Sequence, residues 1–287
     1  YHFCELQNLW GENMLTYADY QGSAGYIRGR IGNFQPEILL VLGSGLGFLG
    51  DLVEDAVVIP YGDIPHFAVS TAPDHAGRFV IGVLGGRRVM VMQGRMHIYE
   101  GYSAEQAAYP VRVARLLGVQ AMLVTNACGA INTSYQVGEI VLLRDHIRLF
   151  DPDPLIGANL PEFGPRFCDM TYAYTPEYRD IARQEAERLG VKLQEGVYFY
   201  FTGPQFETPA EIRAARLLGG DVAGMSTVPE VIAAAHCGVK LLGFSLVTNM
   251  AAGVLEQKLD GVDVIRAAEK ARDGFSALVL ACLARLR

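Results

Sequence analysis

The sequence predicts an α/β protein: a single domain over residues 1–287, with a mixed, largely parallel central β-sheet flanked by helices. Three observations carry this. The run Ile38-Leu39-Leu40-Val41-Leu42 is continuously apolar, is released by Pro36 and stops at Gly43, the pattern of a strand buried on both faces. Gly85-Gly86 separates two strand-like runs, 77–84 and 87–93, and reads as a tight hairpin, so part of the sheet is antiparallel. Later apolar runs alternate with helices that announce their own N-termini, at Ser103-Ala104-Glu105-Gln106, Thr175-Pro176 and Thr208-Pro209-Ala210-Glu211. With 287 residues, 51% of them hydrophobic, the chain is long enough for one large core.

Taken in order, residues up to about Gly32 predict a lead-in helix with Tyr26, Ile27 and Ile31 as apolar positions. The strand at 38–42 ends in Gly43-Ser44-Gly45-Leu46-Gly47. Such a turn can wrap an anion with backbone N–H groups, and serves equally well as a purely structural turn. It is not a dinucleotide fingerprint, because position 48 is Phe48, and no Gly-Lys-Ser/Thr occurs for a Walker motif. A short strand at 55–60 leads to the loop Ala72-Pro73-Asp74-His75-Ala76-Gly77 and then the hairpin. The helix capped at Ser103 runs to about Leu117. A strand at 119–124 ends at Thr125-Asn126-Ala127-Cys128-Gly129-Ala130, and another lies at 138–143. Residues 150–174 form a long loop rich in Pro, Asp and Gly, a length uncommon without a role. A helix to about Leu189 and an aromatic strand at 197–201 follow. Two short helices open at Thr208 and Thr227, where Thr227-Val228-Pro229-Glu230 repeats the capping box. A strand at 239–247 ends in Thr248-Asn249, a looser segment spans 251–259, and a last helix covers about 263–286. No internal repeat or low-complexity linker divides the chain.

Composition excludes several classes. Net charge is −7, from 24 basic and 31 acidic residues with no basic run, so neither nucleic acid nor a membrane surface is an expected partner. The apolar stretch 275–284 is too short to span a bilayer, and no basic-then-apolar segment opens the chain. The chain starts at Tyr1 rather than Met, so its first residues are read as a truncated or appended start. Five cysteines (Cys4, Cys128, Cys168, Cys237, Cys282) are odd in number and form no CxxC, which argues against a disulfide framework or a zinc site and for a reducing, cytoplasmic location.

Polar and glycine clusters recur at the ends of strands, where open α/β sheets place ligands. In the extended segment after the hairpin, Arg95, His97 and Tyr99 fall on one side. A guanidinium, an imidazole and a phenol together can grip an anion and an adjacent hydroxyl; singly, each reads as part of a surface network. Phe206-Glu207 precedes the cap at Thr208, and Met225-Ser226 precedes Thr227. An aromatic, a carboxylate, a thioether and a hydroxyl can line one small polar-and-aromatic ligand; alone, Phe206 and Met225 read as core and Glu207 as a loop acid. So many converging loops favour one composite site.

Seven motifs in order, LGSGLG at 42–47, QGRMHIYEGY at 93–102, TNACG at 125–129, GPQFET at 203–208, GMSTVPE at 224–230, HCG at 236–238 and TN at 248–249, resemble the trimeric, low-molecular-mass purine nucleoside phosphorylases over nearly the whole chain. The resemblance implies reversible phosphorolysis of 6-oxopurine nucleosides such as inosine and guanosine, with inorganic phosphate as co-substrate and no metal or organic cofactor. It implies a phosphate site of Ser44, Arg95, His97, Ser226 and the backbone N–H of Ala127, with Asn126 beside it and His75 in a mobile loop on the same side. Tyr99 and Met225 are implied to border the ribose, and Phe167 to reach into the neighbouring subunit's ribose site, making a homotrimer the active unit. Glu207 and Asn249 are implied to read the purine, with Phe206 on its face and Ala223 lining its pocket; Glu207, Asn249 and His97 carry the chemistry.

Departures remain. Many members have a His before the last helix for the ribose 5′-hydroxyl, whereas Leu259-Asp260-Gly261-Val262-Asp263-Val264 has none. Cys128 stands where Ala is commoner, and Met250 follows Asn249 where vertebrate-type members have Lys. The neighbouring readings are a methylthioadenosine phosphorylase-like enzyme, whose relatives usually place an acid at the Asn249 position and lack the Phe-Glu pair, and a non-catalytic purine-binding protein.

Overall fold

The computed structural model describes residues 15–72 and 75–287, with 261–265 described by backbone alone. The start at Tyr1, Cys4, Pro73-Asp74 and the side chains of Gly261-Val262-Asp263-Val264 lie outside the described residues.

Helix α1 (Tyr17–Ile31) opens on a capping box in which Thr16 and Asp19 exchange bonds. It buries Tyr20, Ala24, Ile27 and Ile31, while Tyr26 is only half-buried, a correction to the expected apolar face. Strand β1 (Ile38–Leu42) is buried at every position and pairs in parallel with β4 (Arg87–Gln93) and β5 (Ala121–Ala130). Its side chains alternate between two cores: Ile38, Leu40 and Leu42 face one, Leu39 and Val41 the other. Strands β2 (Glu54–Pro60), β3 (Arg78–Leu84) and β4 form an antiparallel edge, and Gly85 and Gly86 at φ +58° and +74° make the expected tight turn. The remaining strands are β6 (Ile140–Ile147), β7 (Leu193–Tyr200), β8 (Val222–Gly224) and β9 (Lys240–Met250).

The sheet order is β2-β3-β4-β1-β5-β8-β7-β6-β9, and β9 also pairs with β5. The far half therefore closes on itself, β5-β8-β7-β6-β9-β5, as a small barrel joined to an open sheet through β5. This closure corrects three expectations. Thr125–Ala130 is not a loop after a strand: it continues β5, in parallel register with β9 through Met250. Thr248 and Asn249 likewise lie within β9, and β6 extends to Ile147. Strand β8 was not anticipated, since three residues carry no periodicity.

Helices α2 (Ala104–Leu116) and α5 (Val228–His236) pack together on one face beside α1. On the other, α3 (Pro176–Leu189) and α6 (Gly261–Arg285) cover β9 with Phe275 edge-on to Phe244. Helix α4 (Pro209–Leu217) has the expected capping box from Thr208. Helix α5 does not: Thr227 sits at φ +75° and makes no side-chain cap bond. No described helix is long and apolar enough to cross a membrane.

Candidate active site

Where the open sheet meets the barrel, the C-terminal ends of β1, β4 and β5 converge on a cavity of about 250 Å³. It is lined by Ser44, His75, Arg95, His97, Tyr99, Asn126 and Ala127 from the earlier motifs, and by Phe206, Glu207, Ala223, Met225, Ser226 and Asn249 from the later ones. Every residue singled out from sequence is thus gathered into one cavity except Phe167. That residue is 90% exposed on the long loop and borders a separate hollow with His146, Arg148 and Arg166.

Close backbone approach makes the gathering possible. A Cβ on Gly43 would lie 2.7 Å from Asn126 Cα and 2.8 Å from the Thr125 carbonyl oxygen, so the chain leaving β1 can run against β5 only as glycine. A Cβ on Gly224 would lie 2.2 Å from the Tyr198 hydroxyl, which accepts from the Ser226 backbone N–H at 3.2 Å and so aims the Met225-Ser226 turn.

Arg95 is 1% exposed, and both of its terminal nitrogens are bonded within the protein. Its Nη1 donates to Thr227 Oγ1 (2.9 Å), Glu230 Oε2 (3.1 Å) and Ser226 Oγ (3.3 Å), and its Nη2 donates to the Thr125 carbonyl. Thr227 Oγ1 also accepts from Asn126 Nδ2 at 2.9 Å, and Asn126 Oδ1 accepts from Ser245 Oγ at 2.6 Å. A β-branched residue at φ +75° is strained, and the bonds that Thr227 Oγ1 accepts from Arg95 and Asn126 offset that strain. Burial pushes the Glu230 carboxyl up, against the pull of the Arg95 charge.

His97 stacks between His75 and Tyr99, with ring centroids 5.1 and 4.6 Å away. Glu100 Oε1 lies 2.8 Å from both the His97 backbone nitrogen and its Nδ1, which fixes Nδ1 as a donor and turns Nε2 outward. Burial alone would raise the Glu100 carboxyl, but bonds from His97 and from Thr71 outweigh it and hold it at about 2. His75 Nδ1 sits 2.9 Å from the Arg95 carbonyl oxygen and 3.1 Å from its amide nitrogen, and His75 Nε2 is buried without a partner. Burial, then the neighbouring His97, push the His75 imidazole down to about 4, so it is neutral near pH 7.

The remaining side chains are less tied. Glu207 is half-buried; burial raises its carboxyl, its own backbone N–H lowers it and Glu211 raises it further. Asn249 Oδ1 accepts from Thr248 Oγ1 and its Nδ2 donates to the Met250 carbonyl, both at 3.2 Å, long bonds that leave the amide available. Phe206 is 42% exposed, an open aromatic face at the mouth.

Chemically, the lining offers donors that suit an anion and an aromatic, a carboxylate and an amide that suit a flat polar heterocycle. Sequence reasoning missed the supports of the donors: Glu230, Thr227 and Glu100. Glu100 was legible as an acid three residues after His97, but Thr227 and Glu230 imitate a capping box and point to a different role.

The family model of the phosphorylase superfamily matches residues 37–284. Purine nucleoside phosphorylase 1 of Geobacillus stearothermophilus is 50% identical over 246 residues, covering 86% of this chain and 90% of that protein. A Schistosoma purine nucleoside phosphorylase solved with hypoxanthine superposes with a TM-score of 0.90 at 38% identity, covering 96% of this chain and 100% of that one. The Schistosoma mansoni enzyme solved with adenosine gives 0.89 at 38% identity, covering 95% and 98%. A family match across the sheet and both helical layers, together with half-identical relatives of nearly equal length, shows that the chain belongs to the phosphorylase superfamily and, within it, to the purine nucleoside phosphorylases.

Proposed function

We propose that the enzyme cleaves 6-oxopurine nucleosides, inosine and guanosine and their deoxy forms, by reversible phosphorolysis to the free purine and (deoxy)ribose 1-phosphate. The observation that carries this is one cavity with two kinds of lining: Arg95, His97, Ser44 and Ser226 line it together with Phe206, Glu207 and Asn249. Breaking the bond from ribose to purine N9 develops positive charge on the sugar and leaves electrons on the base. Phosphate held by Arg95, His97, the two serines and the Ala127 N–H, with Asn126 and His75 beside it, stabilises that cation and then attacks it. Phosphate is the co-substrate, so no second carboxylate is needed to activate water, and no metal or organic cofactor is called for.

Tyr99 and Met225 border the ribose. Phe206 packs on the purine, Ala223 lines its pocket, Glu207 accepts from N1–H, and the Asn249 amide meets N7 and O6. Adenine presents a bare lone pair at N1 to that carboxylate, so adenosine is the poorer substrate. The adenosine seen in one structural neighbour is occupancy of that protein, and a rate comparison is what separates binding from turnover.

The active unit we propose is a homotrimer in which Phe167 closes a neighbour's ribose site. Supporting it, Phe167, Phe150, Ile156 and Tyr172 on one long loop are 90%, 97%, 73% and 71% exposed, large apolar side chains that a neighbouring subunit would cover. Four free cysteines among the described residues support a cytoplasmic location. The test of the activity is hypoxanthine release from inosine with and without phosphate: release only with phosphate is expected, and equal release without it would make the protein a hydrolase.

A further inference from the structure

Arg95 and His97, both lining the anion-binding site, are each bonded to a carboxylate, and the two carboxylates are not equivalent. Glu100 is fully bonded, to His97 and to Thr71. Glu230 is not: its Oε2 accepts from Arg95 Nη1 at 3.1 Å, while its Oε1 is buried and has no partner, as is Arg95 Nε. Both members of the pair are essentially out of solvent, with side chains 1% and 3% exposed. Arg95 and Ser226 line the main cavity, and Glu230 does not. It lies behind the guanidinium, on the third residue of α5, facing a separate gap of about 10 Å³ with Met96, His97 and Tyr200.

A buried ion pair is costly to assemble and is a weak device for stability alone, the more so when one oxygen is left unsatisfied. Its placement suits a different purpose. We infer that Glu230 is the internal counterion of Arg95, a positioning residue that keeps the guanidinium aimed while the site is empty and with which a bound phosphate group must share its charge. This rests on Arg95 being a phosphate ligand. When the anion arrives, Arg95 Nη1 already serves Ser226, Thr227 and Glu230, and the incoming charge lies across one guanidinium from the carboxylate. That repulsion loosens phosphate. It loosens ribose 1-phosphate equally, because the product carries the same group in the same place. The benefit is release of a product that a bare buried arginine would retain.

The test is binding of inorganic phosphate by calorimetry to the full chain and to Glu230→Gln, which keeps the shape and loses the charge. The expected result is roughly 30- to 100-fold tighter phosphate in the variant, the size of unit like-charge repulsion over about 6–8 Å at an effective dielectric near 20. A larger rise in melting temperature on adding phosphate and a lower kcat accompany it, with KM for inosine little changed. A merely structural brace would give weaker or unchanged phosphate binding, and either result overturns the inference. Should Glu230→Gln fail to fold, Arg95→Ala is compared with Arg95→Ala/Glu230→Gln. The double variant, which has no lone buried charge, is expected to melt higher and bind phosphate more tightly than Arg95→Ala, and no gain in either overturns the inference. Arg95→Ala with wild-type phosphate affinity would remove the phosphate-site reading itself, and the counterion role with it.

Discussion

Glu207→Ala is expected to separate purines by the hydrogen they carry at N1. The perturbation is clean in structural terms: Glu207 sits in the half-exposed loop between β7 and α4, and its removal opens no cavity in either core. Inosine loses one hydrogen bond to a charged acceptor, worth about 1.5–3 kcal/mol. At 1.36 kcal/mol per tenfold, kcat/KM for inosine falls by roughly 10- to 150-fold. Guanosine loses a second bond, from its 2-amino group, and falls further by a similar factor. Adenosine has no N1 hydrogen and keeps its kcat/KM to within about threefold, because the lost carboxylate faced a lone pair. The assay is steady-state kcat/KM for the three nucleosides at saturating phosphate. An equal loss on adenosine and inosine would show that Glu207 supports the loop and reads nothing.

Other perturbations test other parts of the account. Gly43→Ala places a methyl 2.7 Å from Asn126 Cα, against backbone that cannot yield locally, and is expected to cost about 1–3 kcal/mol and to lower the melting temperature. Glu100 has a folded-state pKa of about 2 against an ordinary 4.5, so the stability it contributes is present above 4.5 and is lost as pH falls toward 2. Glu100→Gln is therefore expected to be less stable than wild type at pH 7, with the difference closing across that window in urea melts; a gap independent of pH would contradict it. Phe167→Gly is expected to raise KM for nucleoside while light scattering still reports three chains; a fully active monomer of the wild type would refute the shared site.

The sequence made the site more legible than the sheet that builds it. Arg95, His97, Glu207 and Asn249 were readable because they stand in motifs that together resemble one family, although each taken singly has an ordinary structural reading. The barrel was not, because its closure depends on β5 and β9 pairing through Ala127, Cys128 and Gly129, small residues that look like loop when read locally. At Gly129 the strands crowd: a Cβ there would sit 3.0 Å from Asn249 Nδ2 and 3.3 Å from Ala251 Cα. At Thr227 and Glu230 the local signal was present and tertiary structure overrode it. Both side chains turn inward to Arg95 instead of capping α5, at the expense of a positive φ. Phe167 shows the opposite limit, since its ring is left 90% exposed among the described residues of one chain.

The central claim is that phosphate itself attacks the ribose carbon, held by Arg95, His97 and the two serines. The direct measurement is cleavage of inosine in buffer containing oxygen-18 phosphate, with the sugar product analysed by mass spectrometry. Ribose 1-phosphate that retains the label in the bridging oxygen at C1 is expected, with a rate that vanishes as phosphate is withdrawn. Free ribose with its C1 oxygen drawn from water, at a rate indifferent to phosphate, would contradict it.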